Sequence, residues 1–168
     1  IGNKVFKGLI NLEILDIKSS NINKINSNTF ACLENLKVLL LCDNNICEID
    51  SNSFSGLINL NKLDLSYNSK MTFVKDISKF SEMDSIIEPK IFGTKTIYSN
   101  MFIENRSLEM INLNHCDLER IEDGGAFRNL RNLKKLLLSS NKLIELNDET
   151  FDGLDNLLDL DLSYNTSL

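Results

Sequence analysis

Residues 133 to 156 read LKKLLLSSNKLIELNDETFDGLDN, and the rest of the chain is made of better or worse copies of this stretch. Leu133, Leu136, Leu138, Asn141 and Leu143 follow the pattern L-x-x-L-x-L-x-x-N-x-L, and Leu146, Phe151 and Leu154 complete the apolar set. The next copy opens at Leu157, a period of 24 residues from Leu133. Around Leu136 the residues alternate as in a half-buried strand, with Leu136 and Leu138 on one face and Lys135, Leu137 and Ser139 on the other. The chain then turns at Asn141 and returns on the opposite side. One such coil does not fold alone. Burying roughly seven large apolar side chains yields about 1.5–3 kcal/mol each. Fixing the backbone of the whole coil costs about 1–2 kcal/mol per residue. Stacked neighbours must supply the missing burial and hydrogen bonds.

Working outward from this unit divides the whole chain. A partial copy covers 1–11, with Ile1, Phe6 and Leu9 in the return half. Full copies follow at 12–35, 36–59 and 60–83; Ser20 stands where asparagine is expected, and Lys70 takes an apolar position that Met71 and Phe73 must fill. The next clear strand opens at Leu108, 48 residues after Leu60, which is two periods. Residues 84–107 are therefore read as a degenerate copy starting at Asp84, with Ile87, Ile97 and Phe102 on apolar positions and a strand disturbed by Pro89. Copies at 108–132, with one extra residue near Gly124 and Gly125, and at 133–156 precede a partial one at 157–168. Cut in mid-repeat and uncapped at both ends, the array is expected to be a fragment of a longer solenoid. NLKVLLL at 35–41 pairs with NLKKLLL at 132–138, and LDLSYNSKM at 63–71 with LDLSYNTSL at 160–168, which points to a block duplication.

These residues resemble the extracellular type of leucine-rich repeat over essentially the whole chain. The implied fold is an α/β solenoid, a curved horseshoe with a parallel sheet on its concave face. The recurring phenylalanine (Phe6, Phe30, Phe54, Phe102, Phe127, Phe151) and the FxxLxxL ending look like Toll-like receptors, leucine-rich-repeat hormone receptors and small leucine-rich proteoglycans. Mixing regular with irregular repeats is most similar to Toll-like receptor ectodomains. The resemblance implies recognition of a protein or pathogen-derived ligand, a receptor dimer, innate immune signalling and a cell-surface or extracellular location. Membrane attachment would then come only through flanking segments. A secreted matrix or adhesion protein and an intracellular scaffold are the alternatives.

The residues themselves set limits on function. A net charge of −6 argues against nucleic acid as a partner. No run of 18 apolar residues exists to span a membrane. His115 is the only histidine and no glycine-rich phosphate loop occurs, so neither catalysis nor a cofactor is expected. Asn44, Asn68, Asn141 and Asn165 read as a structural ladder, with Cys116 as a buried substitute. Cys42 and Cys116 are expected about three repeats apart, roughly 14 Å at strand spacing, too far to share a metal ion. Of two glycosylation sequons, Asn105-Arg106-Ser107 is the better candidate, because Asn165 of Asn165-Thr166-Ser167 belongs to the ladder.

The remaining candidates are the variable positions of the strand segments, which should face the concave side. They are Val38, Leu40 and Asp43; Asp64 and Tyr67; Met110 and His115; Lys135 and Leu137; and Asp159, Asp161 and Tyr164. Leu40 and Leu137 stand out, since the core needs neither and both sit in mid-strand.

Overall fold

The structure is a computed structural model that describes residues 1–2, 4–74, 95–98, 101–122 and 125–168. Short strands follow one another as β1 (Ile14–Asp16), β2 (Lys24–Ile25), β3 (Val38–Leu40), β4 (Glu48–Asp50), β5 (Lys62–Asp64) and β6 (Phe73–Val74). After them come β7 (Thr96–Ile97), β8 (Met110–Asn112), β9 (Arg120–Ile121), β10 (Lys135–Leu137) and β11 (Asp159–Asp161). A six-stranded parallel sheet of order β1-β3-β5-β8-β10-β11 forms one wall of the solenoid. The return sides carry β2-β4-β6 and β7-β9, also parallel, joined by turns and with no helix among the described residues.

Register follows the repeat. Leu15 lies beside Leu39, Leu39 beside Leu63, Leu63 beside Ile111, Ile111 beside Leu136 and Leu136 beside Leu160. Leu39, Leu63, Ile111 and Leu136 are fully buried, so each inner strand of the large sheet aims its middle side chain into the core. On the return side Phe6, Phe30, Phe54 and Phe102 form a continuous stack, with ring centroids 5.7, 6.5 and 6.1 Å apart. Stacked aromatics at this separation fill volume without clashing.

One expectation about the repeats needs correction. Leu63 pairs directly with Ile111 and Phe54 stacks directly on Phe102. No strand of a degenerate copy therefore stands between β5 and β8, and the 48-residue interval is a single step of the sheet. Residues 84–94 of that copy, including Ile87 and Pro89, lie outside the described residues. Ile97 and Phe102 are buried as expected, but they serve the return side of the coil that β5 begins. Phe73 pairs with Ile49 on one flank and Ile97 with Ile121 on the other, so one coil holds two convex segments. An interval that is a multiple of the period says how many residues intervene and not how they are stacked.

Side-chain amides join the coils where the backbone turns. Asn44 Oδ1 accepts from the amides of Ser20 and Ile22, both at 3.0 Å, while Nδ2 donates to the carbonyls of Ile17 and Leu41 at 2.8 and 2.9 Å. Asn141 repeats the arrangement with the amides of Cys116 and Leu118 (3.1 and 3.0 Å) and the carbonyls of Leu113 and Leu138 (2.9 and 2.8 Å). Cys116 takes the same position with one donor, its thiol reaching the Leu65 carbonyl at 3.2 Å. A second ladder, absent from the sequence reading, runs along the opposite edge. Asn35, Asn59, Ser107, Asn132 and Asn156 donate to the carbonyls of Ile10, Glu34, Ile58, Arg106 and Arg131 at 2.8 to 3.0 Å. Its signal is the N-L dipeptide that opens most repeats.

The return sides also approach each other closely. At Gly153, where φ is +85°, a Cβ would lie 2.4 Å from the Arg128 carbonyl oxygen, and at Gly56 2.8 Å from that of Ala31. Only glycine satisfies both the positive φ and the contact.

Asn141→Ala is expected to lower stability by roughly 2–5 kcal/mol, because it strips buried amides and carbonyls of two coils of their partners. The shift of the urea unfolding midpoint reads this directly. Lys37→Ala, which removes an ion pair with Glu13 whose side chains are more than half exposed, should leave the midpoint in place.

Candidate functional site: the concave sheet and its rim

The four inner strands of the large sheet bury their middle residue, while Leu15 is half-buried and Leu160 exposed in the two outer strands; by register the residues on either side form two columns. The first is Ile14, Val38, Lys62, Met110, Lys135 and Asp159; the second is Asp16, Leu40, Asp64, Asn112, Leu137 and Asp161. The strand candidates from the sequence all fall in these columns. Val38 lies between Ile14 and Lys62, and Leu40 between Asp16 and Asp64. Leu137 lies between Asn112 and Asp161, and Lys135 forms an ion pair with Asp159. Val38, Leu40, Met110 and Leu137 are half-buried. Ile14, 60% exposed, extends the apolar surface at the β1 edge.

The direct pairing of β5 with β8 also compresses this face. Leu40 and Leu137 are three strand steps apart, roughly 14 Å, where an intervening copy would have made it four. Cys42 and Cys116 are likewise two coils apart rather than three.

Asp43, Tyr67, His115 and Tyr164 occupy a different place from the other candidates. With Ser19 and Ser140 they form a rim column just beyond the strands, one residue before the ladder position, and all six have φ between 49 and 58°. The left-handed conformation is uncommon for residues other than glycine, and its recurrence here shows that the turn imposes it. Tyr67 and His115, both exposed, stack with centroids 4.4 Å apart and planes 14° apart. Ser19 donates to Asp43 across the same column at 2.7 Å.

The charges on this face are held by local bonds. The carboxyl of Asp161 is kept below the usual range by the hydroxyl of Ser163, at 2.6 Å, and by the amide of Ser163 at 3.0 Å. Asp16 is lowered chiefly by Lys18, 3.1 Å away. Burial raises the Cys42 thiol, with Asp64 adding to the effect. Cys116 is fully buried, and burial pushes its thiol up to about 12, which removes it as a nucleophile at neutral pH. Among the described residues no three of His, Cys, Asp or Glu are grouped to hold a metal ion, and no helix is long and apolar enough to cross a membrane.

The glycosylation candidate is overturned. Asn105 is 1% exposed, and its Nδ2 donates to the carbonyls of Phe54 and Leu57, both at 3.1 Å. Both amide hydrogens are spent on the neighbouring coil, which leaves no nitrogen for a glycan and no path to it. Position 105 is where the other repeats place leucine, so the sequon sits on a core position. The adjacent Glu104 is the exposed anchor, accepting from Ser55 Oγ and the Gly56 amide at 2.8 Å each. Those two bonds hold its carboxyl below the usual range.

The stacked coils, the asparagine ladder and the outward columns define a repeat protein with one continuous outward sheet face. Residues 1–46, 34–86 and 106–166 match the leucine rich repeat family, and the chain belongs to it. No curated protein matches the chain. Among solved structures, the TLR13–ssRNA13 complex is similar in fold at 23% identity and a TM-score of 0.42, covering 94% of this chain. The present chain spans a quarter, 25%, of that one.

Expression in a secretory cell line should leave the peptide containing Asn105 unmodified, as read by mass spectrometry after enzymatic deglycosylation in heavy-oxygen water. A glycan on that residue would require the third coil to open. Iodoacetamide at neutral pH should label the exposed Cys47 in the native protein, whereas Cys116 should react only after denaturation.

Proposed function

We propose that the concave sheet is a protein-recognition surface and that the chain belongs to the ectodomain of a cell-surface receptor of the Toll-like kind. On this reading binding is coupled to receptor dimerisation and immune signalling. The observation that carries it is the outward placement of Val38, Leu40, Met110 and Leu137 among charged neighbours on a sheet whose opposite face already holds a complete core. Apolar side chains that stability does not require, ringed by charge, are the usual composition of a contact patch. The carboxylates of Asp16, Asp64 and Asp161 flank the two leucines, which favours a partner that brings basic groups to the edge of an apolar anchor. The same carboxylates and the net charge of −6 support a protein rather than a nucleic-acid ligand.

The thiols favour a second reading, an intracellular scaffold. Cys32, Cys42, Cys47 and Cys116 are all free and Cys47 is exposed, a composition that suits a reducing compartment. Surface labelling of cells that express the parent protein separates the two.

The double variant Leu40→Glu with Leu137→Glu should keep the circular dichroism spectrum and unfolding midpoint of the parent. It should also weaken capture of a partner identified by crosslinking to the native chain by about tenfold or more, the scale of one lost apolar anchor. Loss of the folded state would assign the two leucines to the core. Unchanged affinity would remove them from the contact.

A further inference from the structure

The rim column contains an empty rung. Its residues are tied in an unbroken relay, since Ser19, Asp43, Tyr67, His115 and Ser140 each donate their amide to a carbonyl of the next coil, from Cys42 through Ser163, at 2.9 to 3.2 Å. Equivalent backbones in equivalent registers send their side chains the same way, one coil apart. Where two rings are adjacent, at Tyr67 and His115, they stack. The rung after His115 is Ser140, whose hydroxyl lies 3.5 Å from that of Ser139. The rung after that is Tyr164, 78% exposed. His115 and Tyr164 are thus two coils apart, roughly 9–10 Å at strand spacing. A flat ring midway between them would sit about 5 Å from each, inside the range in which aromatic pairs attract.

The geometry points to a slot above Ser140 that receives one aromatic side chain of a protein partner, sandwiched between His115 and Tyr164, with a basic residue of the partner beside it. The stack then runs Tyr67, His115, guest, Tyr164. A basic neighbour is favoured by Asp161 on β11, three residues before Tyr164, whose carboxylate accepts from the hydroxyl and amide of Ser163 and is also lowered by the charge of Lys135. A nucleobase has the same planar shape, but its phosphates would meet the carboxylate of Asp161 in a chain of net charge −6, whereas Asp159 is already paired with Lys135. The slot rests on the reading of this face as a protein-recognition surface. It uses residues other than Leu40 and Leu137, so the two can fail separately.

The chain contains no tryptophan, so indole emission in a mixture belongs to the probe. Titrating the peptide acetyl-Lys-Trp-Lys-amide with the protein should give a saturable change in indole fluorescence. Ser140→Tyr supplies the missing ring from within, on a backbone conformation that already carries tyrosine at 67 and 164. It should keep the native circular dichroism spectrum and weaken probe binding by about tenfold or more, since both stacks are blocked. His115→Ala and Tyr164→Ala should each weaken it about fivefold, the scale of one stack. The variant Leu40→Ala with Leu137→Ala adds no charge beside Asp161 and should retain saturable probe binding; probe binding lost there alone would place the indole on the leucine patch and overturn the slot. Absence of saturable binding to the parent protein, or equal affinity in Ser140→Tyr, would overturn it as well. A fluorescent ten-residue uridylate that binds more tightly than the peptide and is lost in Ser140→Tyr would assign the slot to a base and overturn the protein guest.

Discussion

The turn at the end of each concave strand buries amides and carbonyls that the flat sheet cannot pair, and the whole structure depends on how they are satisfied. An asparagine side chain meets the need, because its oxygen accepts from the previous coil while its nitrogen donates to both coils at once. A buried amide left without a partner costs about 1–3 kcal/mol, comparable to the gain from a whole leucine side chain. The same turn forces the residue before the ladder into a left-handed conformation, even where that residue is tyrosine or histidine. Period, register and the direction of the rim side chains all follow from this one requirement.

Much of this was legible in the sequence, and the reason is that the ladder and the leucines report interactions inside one coil and its neighbour. Leu36, Leu39 and Leu41 announce their burial by spacing alone, and all are fully buried. Met71 and Phe73 could be expected to replace Lys70, and they do. The strand columns were legible for the same reason, since a period of two fixes which side chains face outward. What failed was whatever depends on contacts beyond the repeat. Asn105 carries a sequon that reads as exposed, yet it fills a leucine position because its two amide hydrogens find carbonyls at Phe54 and Leu57. The step from β5 to β8 was misjudged because counting residues does not distinguish an extra coil from a longer return. The glycines at 56 and 153 and the N-L asparagines were missed because the repeat pattern read from the leucines assigns them no role, although both meet backbone atoms of the neighbouring coil.

The outward face of the large sheet combines a rigid frame with sparse apolar points. Its backbone is fixed by bonds to two neighbouring coils, so on the proposed reading little ordering would be lost on docking. Val38, Leu40, Met110 and Leu137 stay half-buried on the outer face while the core lies on the other. Ion pairs between successive coils, such as Lys134 with Glu109 and Lys142 with Asp117, line the surface at high exposure and serve solubility more than stability.

The seam between β5 and β8 has a consequence for how the molecule assembles. Every other step of the large sheet joins residues 24 or 25 apart, whereas Leu63 and Ile111 are 48 apart. Closing a loop of twice the length costs about 0.6 kcal/mol more in chain entropy. The ladder bond at this seam is a thiol from Cys116 in place of a carboxamide. The coils on either side of it close through shorter-range contacts. The seam is therefore expected to be the last step of the large sheet to form and the first to open under stress.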